Sequence, residues 1–136
     1  TIIALLLAAL VMSWNGMNQK LSGTPEADVA KLREQIAAIR DILAGTDESV
    51  VMLGDLNATP DSPEIASLTE DLVDAWVTAG VGDGYTYDAA TPHARIDYVM
   101  SSGDVVARTA AVVTTDAADH LPVVVDLGLP GGGIVR

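Results

Sequence analysis

Residues 2–12 are apolar at every position, and only at Ser13-Trp14-Asn15 does the run break. A membrane span needs about 20 such residues. A cleaved leader needs a basic flank before the run and a small-x-small site after it; the sequence shows neither, nor an initiating Met. The run reads as the cut-off end of something longer, either a truncated span or a buried core element such as a first strand. Periodicity leaves that choice open because no position is polar. Residues 1–23 are therefore set apart as an apolar amino-terminal segment, with a domain over 24–128 and a tail over 129–136.

From Thr24 the pattern becomes periodic. Thr24 suits a helix cap, Pro25 the first helical position, and Glu26 and Asp28 the positive end of the helix dipole. Val29, Leu32, Ile36, Ile39 and Leu43 recur at spacings of three and four, with Lys31, Glu34, Arg40 and Asp41 off the stripe. That predicts a helix covering a sheet and ending near Gly45. Val50, Val51, Met52 and Leu53 then form the short apolar run of a buried central strand. Ser62 and Pro63 cap and open a short helix through Glu64, Ile65 and Leu68. The last third reads as strands at 85–87, 95–100, 105–114 and 122–127, separated by turns, one of them Gly80-Val81-Gly82-Asp83-Gly84.

Charge narrows the chemistry. The 136 residues carry 7 Lys+Arg against 19 Asp+Glu, a formal charge of -12. Between Arg40 and Arg95 there is no Lys or Arg, while Asp41, Asp47, Glu48, Asp55, Asp61, Glu64, Glu70, Asp71, Asp74, Asp83 and Asp88 all fall there. Such a chain grips phosphate backbones poorly through charge alone, so a phosphate substrate requires an added cation. The absence of cysteine excludes disulfides and Cys-ligated metals. It leaves localisation open, and with the apolar opening it fits a membrane-tethered or exported bacterial-type protein.

Two places carry candidate chemistry. The buried strand ends at Gly54-Asp55-Leu56-Asn57-Ala58-Thr59-Pro60, where alternation places Asp55 and Asn57 on one side, fit to hold a hard cation or a water. The same residues equally suit a polar turn. A calcium loop is excluded, since Pro60 stands where its Gly belongs and Ala66 where its bidentate Glu belongs. No phosphate-loop or nucleophile-elbow sequence occurs. Further on, Asp97 lies inside the apolar strand Arg95-Ile96-Asp97-Tyr98-Val99, where an ionised carboxylate needs a partner, and His120 of Asp119-His120-Leu121-Pro122-Val123 is the natural one. His93, beside Thr91-Pro92, reads as a loop residue.

Taken in order, Gly54-Asp55-Leu56-Asn57-Ala58-Thr59-Pro60, Arg95-Ile96-Asp97-Tyr98 and Asp119-His120-Leu121-Pro122-Val123 resemble the motifs of the endonuclease/exonuclease/phosphatase superfamily of metal-dependent phosphodiester hydrolases, over about residues 24–128. The resemblance implies an α+β fold: part of a four-layered α/β/β/α sandwich with mixed, largely antiparallel sheets. It also implies roles. Asp55 orients or deprotonates the attacking water, Asn57 positions water and phosphate, and Asp97 holds His120, which stabilises the transition state. Asp119 and Asn15 are implied near the metal, Arg95 at the substrate, and Mg2+ or Mn2+ as the ion. The substrate is a phosphodiester or phosphomonoester of unspecified kind.

Departures from the family pattern qualify that reading. The family's first half supplies a metal-binding Glu and a second His in a Thr-His pair, and neither is found here, although Val11-Met12-Ser13-Trp14-Asn15 is similar to its opening strand. Ala118 stands where Ser usually precedes the Asp-His pair. The chain thus resembles a carboxy-terminal half. The competing expectation is a noncatalytic, degenerate or truncated module of the same fold, acting in binding or in membrane association through residues 1–12. A sheet face left uncovered by the missing half would serve self-association.

Overall fold

The computed structural model describes residues 2–5, 25–132 and 134–135. Asn15, the opening-strand motif around it and the Thr24 cap lie outside the described residues. Strand β1 (Ile2–Leu5) is followed by helix α1 (Pro25–Ala44), strand β2 (Ser49–Asp55), helix α2 (Pro63–Leu68), strand β3 (Val73–Asp74) and helix α3 (Ala75–Ala79). Strands β4 (Asp97–Ser101), β5 (Val106–Val112), β6 (Val123–Gly128) and β7 (Ile134–Val135) complete the order. The fold is mixed α+β. Among the described residues no helix is long and apolar enough to cross a membrane.

Two sheets form. The first has order β1-β2-β4-β3, with β1 parallel to β2 and β4 antiparallel to both β2 and β3. The second is antiparallel, in the order β5-β6-β7, with a register shift between Ala107 and Thr109. Alternation along β2 and β4 divides the core. Met52, Tyr98 and Met100 face α1 and α2, joining Ile36, Leu56, Ile65, Leu68 and Leu72, with Ile39 and Leu43 packed against them. Val51, Leu53 and Val99 face the second sheet, meeting Ala107, Val125 and Leu127. Met52, Leu68 and Met100 are almost completely buried, each contributing about 1.5–3 kcal/mol of apolar burial.

The described layers are therefore helix, sheet, sheet. The outer face of the second sheet carries exposed Val106 and Val124, and no described helix covers it. Local signals explain the elements that match expectation. Pro25 opens α1, which Gly45 closes through its N–H to Asp41 O at 3.1 Å and Ile42 O at 3.2 Å. Ser62 Oγ accepts from Ile65 N–H at 3.3 Å to cap α2.

Two parts depart from expectation. The sequence pattern gave no sign of β3 and α3; Asp74 ends one and caps the other through Trp76 N–H at 2.9 Å. Residues 85–87 do not form a strand. Tyr87 instead makes isolated bridges to Ala94 and His120, because the chain folds back on itself at 87–94 and leaves no ladder to join. The preceding turn wraps Trp76: a Cβ at Gly84 would lie 2.3 Å from the indole, and the φ of +68° there also calls for glycine.

Candidate functional site

The sheet register creates the site. Asp55, the last residue of β2, stands directly opposite Asp97, the first of β4. Two like charges so placed repel unless something intervenes. His120 does, arriving from the loop before β6. Its Nδ1 lies 2.8 Å from Asp97 Oδ2 and its Nε2 4.0 Å from Asp55 Oδ2. All three side chains are partly buried, at 28% exposure for His120, 15% for Asp55 and 20% for Asp97. They are thus dry enough for charge to act strongly and open enough to be reached. A cavity of about 290 Å3 is lined by Asp97 and His120, with Gly54 and Pro122.

Asn57 joins the cluster for a different reason from the one expected. The strand stops at Asp55, and Asn57 adopts a left-handed conformation with φ of +48°, which Asn tolerates better than most residues. The turn brings its N–H to Asp55 Oδ1 at 2.8 Å and its Nδ2 to Asp55 Oδ2 at 3.1 Å. A tight polar turn, not strand alternation, aims the two side chains together. The polar-turn reading and the functional one therefore describe the same structure.

The pair of charged forms is tuned in opposite senses. Burial raises the Asp55 pKa above the ordinary carboxylate value and the Asp97 charge adds to it, while the Asn57 N–H and His120 work against the rise. For His120, burial pulls the pKa down. That effect is outweighed by the hydrogen bond and charge of Asp97, with Asp55 and Asp119 adding, so the imidazole is held above its ordinary value. A carboxylate readier to take a proton thus faces an imidazole readier to keep one.

Other residues singled out by sequence fall elsewhere. Arg95 is turned away from the cluster: its guanidinium is 6% exposed, lies 2.8 Å from Asp74 Oδ2 and sits 4.6 Å from the Tyr98 ring centroid. Nη1 is buried without a directed hydrogen bond, so Asp74 meets it as a charge contact. The Arg95 charge is thus committed to Asp74 inside the fold. Asp119 is exposed, and its carbonyl accepts from Ala89 N–H at 2.8 Å. Among the described residues the metal-capable group is instead Asp55, Asp97 and His120, whose ligand atoms lie within 4.8 Å of one another. Its two carboxylates suit a hard cation such as Mg2+ or Mn2+. The imidazole offers less, since Nδ1 is already held by Asp97. His93 stays on the exposed loop.

Tyr87 was not foreseen. Its ring is tilted 49° against the His120 ring at 5.0 Å and meets His93 edge-on at 5.8 Å. Only the fold brings it there, and no local pattern in the sequence marks it.

The sequence profile of the Endonuclease/Exonuclease/phosphatase family matches residues 12–120. A search of curated protein sequences finds no match. Among solved structures, the endonuclease/exonuclease/phosphatase from Bacteroides vulgatus is 27% identical with a TM-score of 0.60, the match covering 74% of this chain and 44% of that one. The endonuclease/exonuclease/phosphatase from Beutenbergia cavernae is 28% identical with a TM-score of 0.58, covering 76% and 32%. A Bacteroides thetaiotaomicron mannosyl-6-phosphatase shares the fold at 18% identity and a TM-score of 0.60, covering 76% and 46%. The chain thus spans less than half the length of these relatives.

Proposed function

The chain belongs to the endonuclease/exonuclease/phosphatase family, and from that premise we propose that it hydrolyses phosphoester bonds with Asp55, Asn57, Asp97 and His120 as its working residues. The observation that carries this is the Asp97–His120 contact at 2.8 Å, with Nε2 left free and turned toward Asp55. Asp55 orients a water with Asn57 and accepts its proton as the oxygen adds to phosphorus. The P–O bond to the leaving group breaks as the new one forms. His120, whose cationic form Asp97 favours, donates from Nε2 to a phosphoryl oxygen where negative charge builds. Asp55 and Asp97 would hold a divalent cation through their oxygens, and such an ion, when bound, supplies positive charge against the phosphate that this acidic surface lacks.

The test is hydrolysis of bis(p-nitrophenyl) phosphate by the chain with Mg2+ or Mn2+ and with chelator, using His120→Ala as control. Turnover that needs the metal and vanishes in the control supports the proposal; equal rates in both proteins overturn it. One observation favours a second reading, a noncatalytic module: in the one metal-capable group among the described residues, Asp55, Asp97 and His120, the His120 Nδ1 and an Asp97 oxygen are already bonded to each other. A folded chain that binds the diester without turning it over would support that reading instead.

A further inference from the structure

Asp97 and His120 belong to different parts of the fold. Asp97 starts β4 of the first sheet, whereas His120 sits in the loop leading into β6 of the second, held by an isolated bridge and by no strand. Neither sheet alone fixes their 2.8 Å contact, so something between them must.

The residue that spans the gap is Thr86. It is completely buried. Its Oγ1 accepts from the N–H groups of Ile96 and Asp97, at 3.3 Å each. Its own N–H donates to Ala94 O at 2.8 Å, and its carbonyl accepts from Leu121 N–H at 2.7 Å. One residue therefore grips the Asp97 segment through its side chain and the His120 segment through its backbone. Beside it, Tyr87 bridges to His120 and Ala89 N–H donates to Asp119 O at 2.8 Å, which extends the grip along the histidine loop.

We propose that Thr86 is a positioning residue for the Asp97–His120 pair, setting the separation at which the carboxylate meets Nδ1. The proposal rests on the reading of His120 as the group that meets the phosphate. The chemistry of the side chain fits the task. A β-branched residue has few χ1 choices, so the hydroxyl oxygen stays aimed at the two N–H groups. Valine would keep the shape and lose the acceptor, leaving the buried Ile96 N–H and the part-buried Asp97 N–H without it. The start of β4 would then shift to find other partners, carrying the Asp97 carboxylate with it. A short charge-assisted hydrogen bond tolerates little displacement, and a misplacement of about 1 Å in a catalytic group costs about 10²-fold in rate.

Thr86→Ser, Thr86→Ala and Thr86→Val are compared with the parent chain by two readouts. The first is the downfield, slowly exchanging imidazole Nδ1 proton of His120 in the 1H NMR spectrum, which needs the Asp97 contact and no substrate. The second is kcat and KM on bis(p-nitrophenyl) phosphate with Mg2+ or Mn2+. Ser and Ala both lack the methyl and differ by one oxygen, so their comparison stands even if Val does not fold. The parent and the Ser variant should show the proton signal. The Ala variant should lose it and fall about 10²-fold in kcat, with KM little changed and a cooperative thermal transition retained. An Ala variant that keeps both the signal and kcat overturns the proposal. So does one that loses its cooperative transition with the signal, because the hydroxyl would then be a general stability element. A parent chain without turnover, but with the signal present in Ser and absent in Ala, refutes the hydrolytic reading and leaves the positioning role standing.

Discussion

Replacing Asp97 with Asn tests the electrostatic core of the site at nearly constant shape. The amide oxygen can still accept from His120 Nδ1, now at 2.8 Å from Asp97 Oδ2, but the charge is gone. A hydrogen bond to a charged group contributes about 1.5–3 kcal/mol and a neutral one about 0.5–1.5 kcal/mol. The variant thus forfeits about 1 kcal/mol of imidazolium stabilisation, toward the low end because these side chains are 20–28% exposed. At about 1.4 kcal/mol per decade, that predicts roughly a fivefold fall in kcat/KM at neutral pH. The NMR titration of His120 should move down toward the ordinary value of 6.5. Stability gives an independent sign. A His whose folded pKa is raised adds stability that is fully present below its unfolded value and is lost as pH rises through the folded value. The gap in urea-unfolding free energy between parent and Asp97→Asn should therefore be widest just below pH 6.5 and shrink above it. An unchanged His120 titration together with a pH-independent stability gap would refute the reasoning.

Three further outcomes follow from particular contacts. Asp55→Asn removes a carboxylate whose raised folded pKa makes its ionisation cost stability as pH rises, so at neutral pH urea unfolding should find the variant no less stable while turnover is lost; a destabilised variant counts against the burial argument. Asn57→Ala loses the Nδ2 contact, and with it the local hydrogen bonding that lets Asn tolerate φ of +48°, costing about 1 kcal/mol, whereas Asn57→Gly should recover most of that stability and none of the activity. Arg95→Met strands Asp74 in the core and should cost about 3–5 kcal/mol, with much of it restored by adding Asp74→Asn. If the dominant effect of Arg95→Met were on KM, the buried-pair assignment would fail.

What the sequence made legible follows physical range. The α1 stripe, the β2 run and the Ser62 cap are set by neighbours within a turn or a strand, and they stand where periodicity and capping put them. Asp97 was legible because a carboxylate in an apolar strand demands a partner, and His120 supplied it at 2.8 Å. Asn57 reached the site by a left-handed turn, which short-range alternation cannot distinguish from an extended strand end. The pairing of Arg95 was not legible for a related reason: its charge is taken by Asp74, a partner far off in sequence. The missed strand and helix at Val73–Ala79 are too short to show a period, and Thr86 and Tyr87 matter only through residues the fold brings to them.

The measurement that bears most directly on the account is the kcat of four proteins on bis(p-nitrophenyl) phosphate at saturating metal: the parent, Asp55→Asn, His120→Ala and the double variant. Groups that act on one water and one phosphate lose their effect together. Large losses in each single variant, with the double variant no slower than the slower single, are the predicted result. Losses that multiply in the double variant, or a parent chain with no metal-dependent turnover, would contradict the claim that these residues form one hydrolytic site.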